Sequence, residues 1–408
     1  MNIDIEFVRS QFPAFSEPSL EGQAFFENAG GSYMCKQVIK RFNDYYIKRK
    51  VQPYGFYKSS AEAGKEMDKA RERMAGYLNV FPHEVSFGPS TSQNTYVLSQ
   101  SFLSKMKPGD ALIVSEQEHE ANAGSWHNMS KHGVEVIEWK VDPNSGRLDI
   151  EQLKLLLNDK VKLVAVTHCS NVVGEINPIK EIANIVHDNN SILITDGVSF
   201  CPHGFPDIQE LGSDVYLFSA YKTYGPHQGV MVIRERAKAK LSNQSHFFNS
   251  DYPDKFMVPA GPDHAQIAAT NGILDYFDQI HSHHFPDEKS LSKRSKKITT
   301  LFRETESINL KPLLNYLSDR NDVRLIGPSD NIIRAPTVAF ISNNKSPKEI
   351  VQSLAENNIM AGAGDFYAYR PIKALGLNPD IGVVRLSFVH YTSTDEINAS
   401  ISALDLVL

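Results

Sequence analysis

"DVYLFSAYKTYGPHQGVMVIRE" spans residues 214–235. Two apolar runs, 214–220 and 229–235, flank a turn in which Lys222 stands between two tyrosines and ahead of Gly225-Pro226. Lysine is almost never fully buried unless it is paired or reactive. An amine at the end of a buried strand therefore raises the question of what the strand presents it to. The plain alternative is a lysine that snorkels along its aliphatic stem to the surface.

Outward from this stretch the same pattern repeats. Residues 84–88, 110–116, 134–140, 161–168 and 191–197 read as strands, and 177–190 reads as a helix between two of them. Leu98, Phe102 and Met106 keep a four-residue helical spacing after the first strand. Strands alternating with helices predict an α/β fold with a mostly parallel, seven-stranded sheet, and continuous apolar strands predict a sheet covered on both faces. The polar stretch 280–300 reads as a boundary leading into a long helix. Beyond it, strands are expected at 337–343 and 383–391. Helices are expected after Ser346 and Ser393, each with a glutamate at capping-box spacing, Glu349 and Glu396. The expected organisation is an N-terminal arm (1–25), a large domain (26–285) and a small C-terminal α+β domain (286–408).

Composition narrows the function class. Of 408 residues, 41% are hydrophobic and 22% charged, with a formal net charge of -6. That composition is globular, and the charge argues against a nucleic-acid-binding surface. No apolar run reaches the roughly 18 residues of a membrane span. The N-terminal residues lack the basic and apolar regions of a signal peptide. The only cysteines, Cys35, Cys169 and Cys201, are an odd and low number, as expected of reduced thiols in a cytoplasmic protein.

Open α/β sheets bind ligands beyond the carboxyl ends of their strands. The residues expected there are Thr91 and Ser92 at a helix start, His119, Asn171, Asp196 and Lys222. Each has an ordinary reading on its own: an N-cap for the hydroxyls, a loop histidine, a turn carboxylate. The spacing of His168, Cys169, Cys201 and His203 fits no standard zinc pattern, so no metal is expected. Together, a phosphate-binding turn, an imidazole, an amide, a carboxylate and an amine form the set that holds pyridoxal phosphate. The phosphate seeks a helix N-terminus, the ring nitrogen a carboxylate, and the aldehyde a lysine.

Several motifs carry a family resemblance: "IEFVRSQFPAF" (5–15), "AFFENAGGS" (24–32), "PSTSQNTY" (89–96), "EHEAN" (118–122), "VTHCSNVVGEINPIKEIANIVH" (166–187) and the block from 193 to 226. In these the chain resembles, nearly end to end, the class V aminotransferase group of fold-type I pyridoxal-phosphate enzymes, which includes cysteine desulfurases. The resemblance implies an aldimine at Lys222, Asp196 at the pyridinium nitrogen, His119 over the ring and Asn171 near the 3′-oxygen. It implies Thr91, Ser92, Ser199, Ser219 and Tyr221 around the cofactor, with Tyr221 replacing the usual histidine. For substrate it implies Asn28, Gly30, Tyr367 and Arg385, the last gripping an α-carboxylate at two points. It also implies a homodimer with sites at the interface.

The departures matter as much. Tyr367, in "AGAGDFYAYRPIKAL" (361–375), falls roughly where desulfurases carry the sulfur-accepting cysteine. Pro262 and Ser199 replace a usual threonine and glutamine, and "QPYGFYKSS" (52–60) differs from the relatives. The expected reaction is C–S lyase-type β-elimination on an α-amino acid. Transamination is the alternative, followed by racemisation or epimerisation, or a non-catalytic protein that keeps the fold.

Overall fold

The computed structural model describes residues 2–408, so Met1, the first residue of the expected arm, lies outside them. The chain enters through a short helix, Ile5–Arg9, and a two-residue strand, β1 (Ala24–Phe25). Each of the seven apolar stretches then forms a strand, most of them trimmed by a residue or two at the ends. They are β2 (Val85–Gly88), β3 (Ala111–Ser115), β4 (Glu135–Trp139), β5 (Val161–Thr167), β6 (Ile192–Asp196), β7 (Val215–Ser219) and β8 (Gly229–Ile233). Their order in the sheet is β2-β8-β7-β6-β5-β3-β4. Only β8 runs against its neighbours, pairing antiparallel with β2 and β7.

Side chains alternate across a strand, and β7 shows what this does here. Tyr216 and Phe218 join one core with Phe205, Phe277 and Phe302, while Val215 and Leu217 join another with Leu98, Phe102 and Trp126. Both faces of the strand are covered, so its residues read as an unbroken apolar run.

A helix from His264 to His284 and a second from Leu291 to Ser318 lead to the C-terminal part. There β9 (Val323–Ile326), β10 (Thr337–Ser342), β12 (Gly362–Gly364) and β13 (Val383–Ser387) form an antiparallel sheet in the order β12-β13-β10-β9, while β11 (Ile359–Met360) pairs with β1. Both capping boxes form: Ser346 with Glu349, and Ser393 with Glu396. Two boundaries differ from the sequence reading. The helix starting at Thr91 ends at Leu103, short of Met106, because Pro108 and Gly109 (φ 90°) turn the chain into β3. The strand expected over 383–391 stops at Ser387, because Val389, His390 and Tyr391 leave the ladder for the core. His390 stacks on Phe302 at 3.5 Å and meets the Tyr276 hydroxyl at 2.6 Å.

The N-terminal segment packs against both parts of the chain. Phe12 is fully buried, with ring centroids 5.6, 5.1 and 4.9 Å from those of Tyr224, Tyr276 and Tyr391. Arg9 pairs with Glu396 at 2.7 Å. Among the described residues no helix is long and apolar enough to cross a membrane. Phe12→Ala removes a ring closed in by other aromatic rings, and a denaturant titration is expected to show a loss of about 3–5 kcal/mol in unfolding free energy.

Candidate active site

Strands β2, β3, β5, β6 and β7 run in one direction, so Gly88, Ser115, Thr167, Asp196 and Ser219 end on one edge of the sheet. A cavity of about 790 Å³ lies there. Gly30, Thr91, Ser92, His119, Asn171, Asp196, Ser199, Ser219, Tyr221, Lys222, Tyr367 and Arg385 all line it.

Asn28, expected to contact substrate, does not line it. Its amide donates to Ser387 O at 3.2 Å and accepts from the Tyr391 hydroxyl, and it is buried on that side. Its neighbour Glu27 lines the cavity instead. The chain turns directly after Glu27, whose carbonyl accepts the Gly30 N–H at 2.9 Å, so one motif yields an anchor at 28 and a cavity residue at 27.

At one end of the cavity is the start of the helix Thr91–Leu103. Ser90 caps it, accepting from Gln93 N–H at 3.2 Å. The first-turn N–H groups of a helix have no intrahelical acceptor and carry its positive dipole end. Thr91 Oγ1 and Ser219 Oγ lie 2.7 Å apart, tying this helix start to the end of β7. Gly229, opposite Ser219, permits the approach: a Cβ there would sit 2.6 Å from the Ser90 carbonyl carbon. Tyr221 stacks on His227 with centroids 4.8 Å apart, and both line the cavity.

In the middle are three groups whose proton affinity is set by removal from water. Asp196 is pushed up to about 6 by burial, opposed by the Val198 N–H it accepts at 2.8 Å and by Lys222. His119 is pushed down to about 3 by burial, with Lys222 and Arg385 adding to it. The neutral His119 ring accepts the Ala121 N–H on Nδ1 at 3.0 Å, which leaves its proton on Nε2. Lys222, only 6% exposed, is lowered to about 8 by burial and by Arg385, against the pull of Asp196 and Glu27. The turn that holds it depends on Tyr224, a buried residue at φ 63° whose hydroxyl donates to Pro202 O. Thr223 and Gly225 both donate backbone N–H to Ala220 O, closing the loop around the lysine.

At the other end is Arg385 on β13, almost wholly buried. Its Nη1 donates to Asn171 O at 3.2 Å, and the Phe366 ring lies 3.7 Å from its guanidinium carbon. Burial lowers it to about 10. Phe366 and Tyr367 are consecutive residues at positive φ, 52° and 57°, a costly conformation for side chains of this bulk. Phe366 covers the arginine while Tyr367, 72% exposed, stacks 5.5 Å from His119. The Asn171 amide donates to Phe366 O at 3.0 Å. Glu27 and Phe366 escaped the sequence reading. The signal available for Glu27 was its place beside Asn28, and Phe366 stood next to the noted Tyr367.

The donor set fits pyridoxal phosphate. Asn171 Oδ1 and Arg385 Nε are buried polar atoms with no partner in the protein, as expected where a polar ligand completes the site. A carboxylate, an amine and a helix N-terminus bound the same space. All three cysteines are buried, and burial pushes the Cys35 and Cys169 thiols up to about 12 and that of Cys201 well above its usual value.

Residues 24–284 and 295–399 match the family model of class-V aminotransferases. The chain belongs to the class-V aminotransferase family. Members of this class-V family are pyridoxal-phosphate-dependent enzymes. Among similar class-V proteins is the aminotransferase-like protein FGM3 of Gibberella zeae, 36% identical over 420 residues, covering 100% of this chain and 99% of its own. Another is the cysteine desulfurase-like protein ustD of Aspergillus flavus, 30% identical, covering 100% of this chain and 91% of its own. The fold is shared with the cysteine desulfurase of Thermococcus onnurineus, with a TM-score of 0.86 at 23% identity, over 100% of this chain and 98% of the other.

Only the neutral amine attacks an aldehyde. The rate at which cofactor-free protein captures pyridoxal phosphate is therefore expected to rise with pH and level off above about 8. Lys222→Ala is expected to abolish the adduct that borohydride fixes, as read by intact mass.

Proposed function

We propose that this protein is a pyridoxal-phosphate-dependent lyase that eliminates a sulfur leaving group from Cβ of an α-amino acid. The observation that carries the reading is the meeting of Lys222 and Arg385 in one cavity that contains no reactive thiol. Transfer of sulfur to the enzyme itself needs an accessible, low-pKa cysteine. Tyr367 stands in the loop where such a residue is expected, and Cys169, at the cavity wall, is 1% exposed. Sulfur would therefore leave with the departing group.

In this reading Thr91, Ser92, Ser219 and Tyr221 hold the cofactor's phosphate, and Ser199 lies close by. His119 covers the ring and Asn171 approaches its 3′-oxygen. Asp196 keeps a proton on the ring nitrogen. Pyridoxal phosphate, when bound, supplies an electron sink that makes the substrate's Cα proton acidic. Arg385 and Gly30 receive the α-carboxylate, the arginine by charge-assisted hydrogen bonds from donors the protein leaves unused. Lys222 Nζ, its basicity lowered toward neutrality, takes the proton from Cα. The bond from Cβ to sulfur then breaks, the thiolate carries off its electron pair, and the 2-aminoacrylate left behind tautomerises to an imine that water hydrolyses to pyruvate and ammonia. Tyr367 and the neutral His119 cover this space and limit water.

Transamination is the second reading, favoured by the similarity to the aminotransferase-like protein of Gibberella zeae. A homodimer belongs to the same proposal. Phe56, Tyr57, Phe247 and Phe248 are large apolar side chains left exposed on this protomer.

S-Alkyl cysteines supplied without any keto acid are expected to yield pyruvate over many turnovers. A single half-turnover that leaves the amine form of the cofactor would instead establish the aminotransferase. Arg385→Ala is expected to raise the substrate KM about 30-fold, equivalent to about 2 kcal/mol, while cofactor affinity changes by less than about threefold. Equal losses in both would remove Arg385 from its role.

A further inference from the structure

Glu27 reaches the cavity from the segment that follows β1 and stops beside Arg385. Its Oε1 lies 3.8 Å from Arg385 Nη2, beyond hydrogen-bond distance. Oε1 is buried with no hydrogen-bond partner, and so is Arg385 Nε. A guanidinium has five N–H donors, and here one bond is made, to Asn171 O. The carboxylate is thus close enough to share the guanidinium electrostatically, yet leaves its donors to another acid.

The surrounding backbone is shaped around this pair. A Cβ at Gly362 would collide with Glu27 Oε1 and come within 2.9 Å of the Phe366 ring. A Cβ at Gly30 would lie 3.4 Å from Glu27 Oε2 and 3.9 Å from Arg385 Nη2. Both groups therefore open toward the cavity on the Gly30 side.

We propose that Glu27 recognises the substrate's carboxylate together with Arg385: it takes up a proton as that carboxylate arrives and donates the new O–H to it. The proposal rests on Arg385 being the carboxylate's binding partner. Two carboxylates on one desolvated guanidinium repel each other, and one of them takes a proton. The acid with the weaker hold on its charge protonates. An α-carboxyl has a reference pKa of about 3.5, against about 4.3 for a glutamate side chain. Burial already raises Glu27 above its ordinary value, although Arg385 and Lys222 both oppose the rise. Those two cations are the charged groups that act on it. His119 on the far side is neutral, and the charge of Asp196 is felt at Lys222.

The sign of the pH dependence follows. Below the pKa of Glu27 in the free site, the acid is already protonated and carboxylate affinity is flat. Above it, binding must draw a proton from solution, and affinity falls about tenfold per pH unit.

Lactate, which has no amine and whose α-hydroxyl keeps its carboxyl more acidic than a glutamate side chain, is the probe. Its binding to the holoenzyme is measured calorimetrically at pH 8 in two buffers of different ionisation enthalpy. Wild-type protein is expected to take up close to one proton per lactate bound. Glu27→Gln, which keeps the shape and a donor, is expected to take up none and to bind with an affinity that no longer falls with pH. An unchanged visible spectrum of the bound cofactor shows that the variant site is intact. No proton uptake by wild type, or equal uptake by Glu27→Gln, overturns the proposal. Arg385→Ala separates the two readings. If it binds lactate as tightly as wild type, the reading of Arg385 falls and this proposal with it. If it loses binding while wild type takes up no proton, the Glu27 proposal alone falls.

Discussion

Withdrawal of Lys222 from water is the constraint on which the site depends. An ammonium group in an apolar strand end is costly unless it loses its proton or finds counter-charges. Here burial weakens the amine's hold on its proton, bringing it to about 8, and Asp196 and Glu27 keep it from falling further. The same desolvation raises Asp196 to about 6 and holds His119 neutral. One physical cause thus sets three proton affinities, each in the direction its own charge dictates. The sheet makes this possible, because parallel strands deliver their ends to one edge and β8, antiparallel, returns the chain past the lysine.

Much of the fold was legible because it is written in period and run length. The buried strands are unbroken apolar stretches because side chains on both faces are covered, as β7 illustrates with Tyr216 and Phe218 on one side and Val215 and Leu217 on the other. The capping boxes at Ser346 and Ser393 mark helix starts by local hydrogen bonding alone. Residues whose roles depend on tertiary contacts were harder to read. Asn28 reads as a binding amide until Ser387 and Tyr391, more than 350 positions away, are seen to occupy it. Glu27 reads as an ordinary exposed acid until Arg385 comes to lie beside it. His390 and Tyr391 look like a continuing strand until the aromatic cluster around Phe12 and Tyr224 draws them out of it.

The Phe366–Tyr367 pair shows how local strain and site geometry are connected. Two bulky residues in the left-handed region carry a conformational cost, and the bonds that hold them are specific: Asn171 to Phe366 O, Glu120 N–H to Tyr367 O, and the aromatic face on Arg385. Because the residues are adjacent, the wall over the guanidinium and the wall over His119 are one piece of backbone. The Arg385 end of the cavity and its centre at His119 are thereby mechanically joined.

Gly362 has a consequence for descent as well as for shape. The space its side chain would take is filled from two distant parts of the chain, by Glu27 and by Phe366. A relative that replaces the glycine must give up one of these neighbours, and a relative that shortens residue 27 is free to fill position 362. The three positions should therefore change as a set across the family. Their joint state would sort class-V chains by how the space at position 362 is filled.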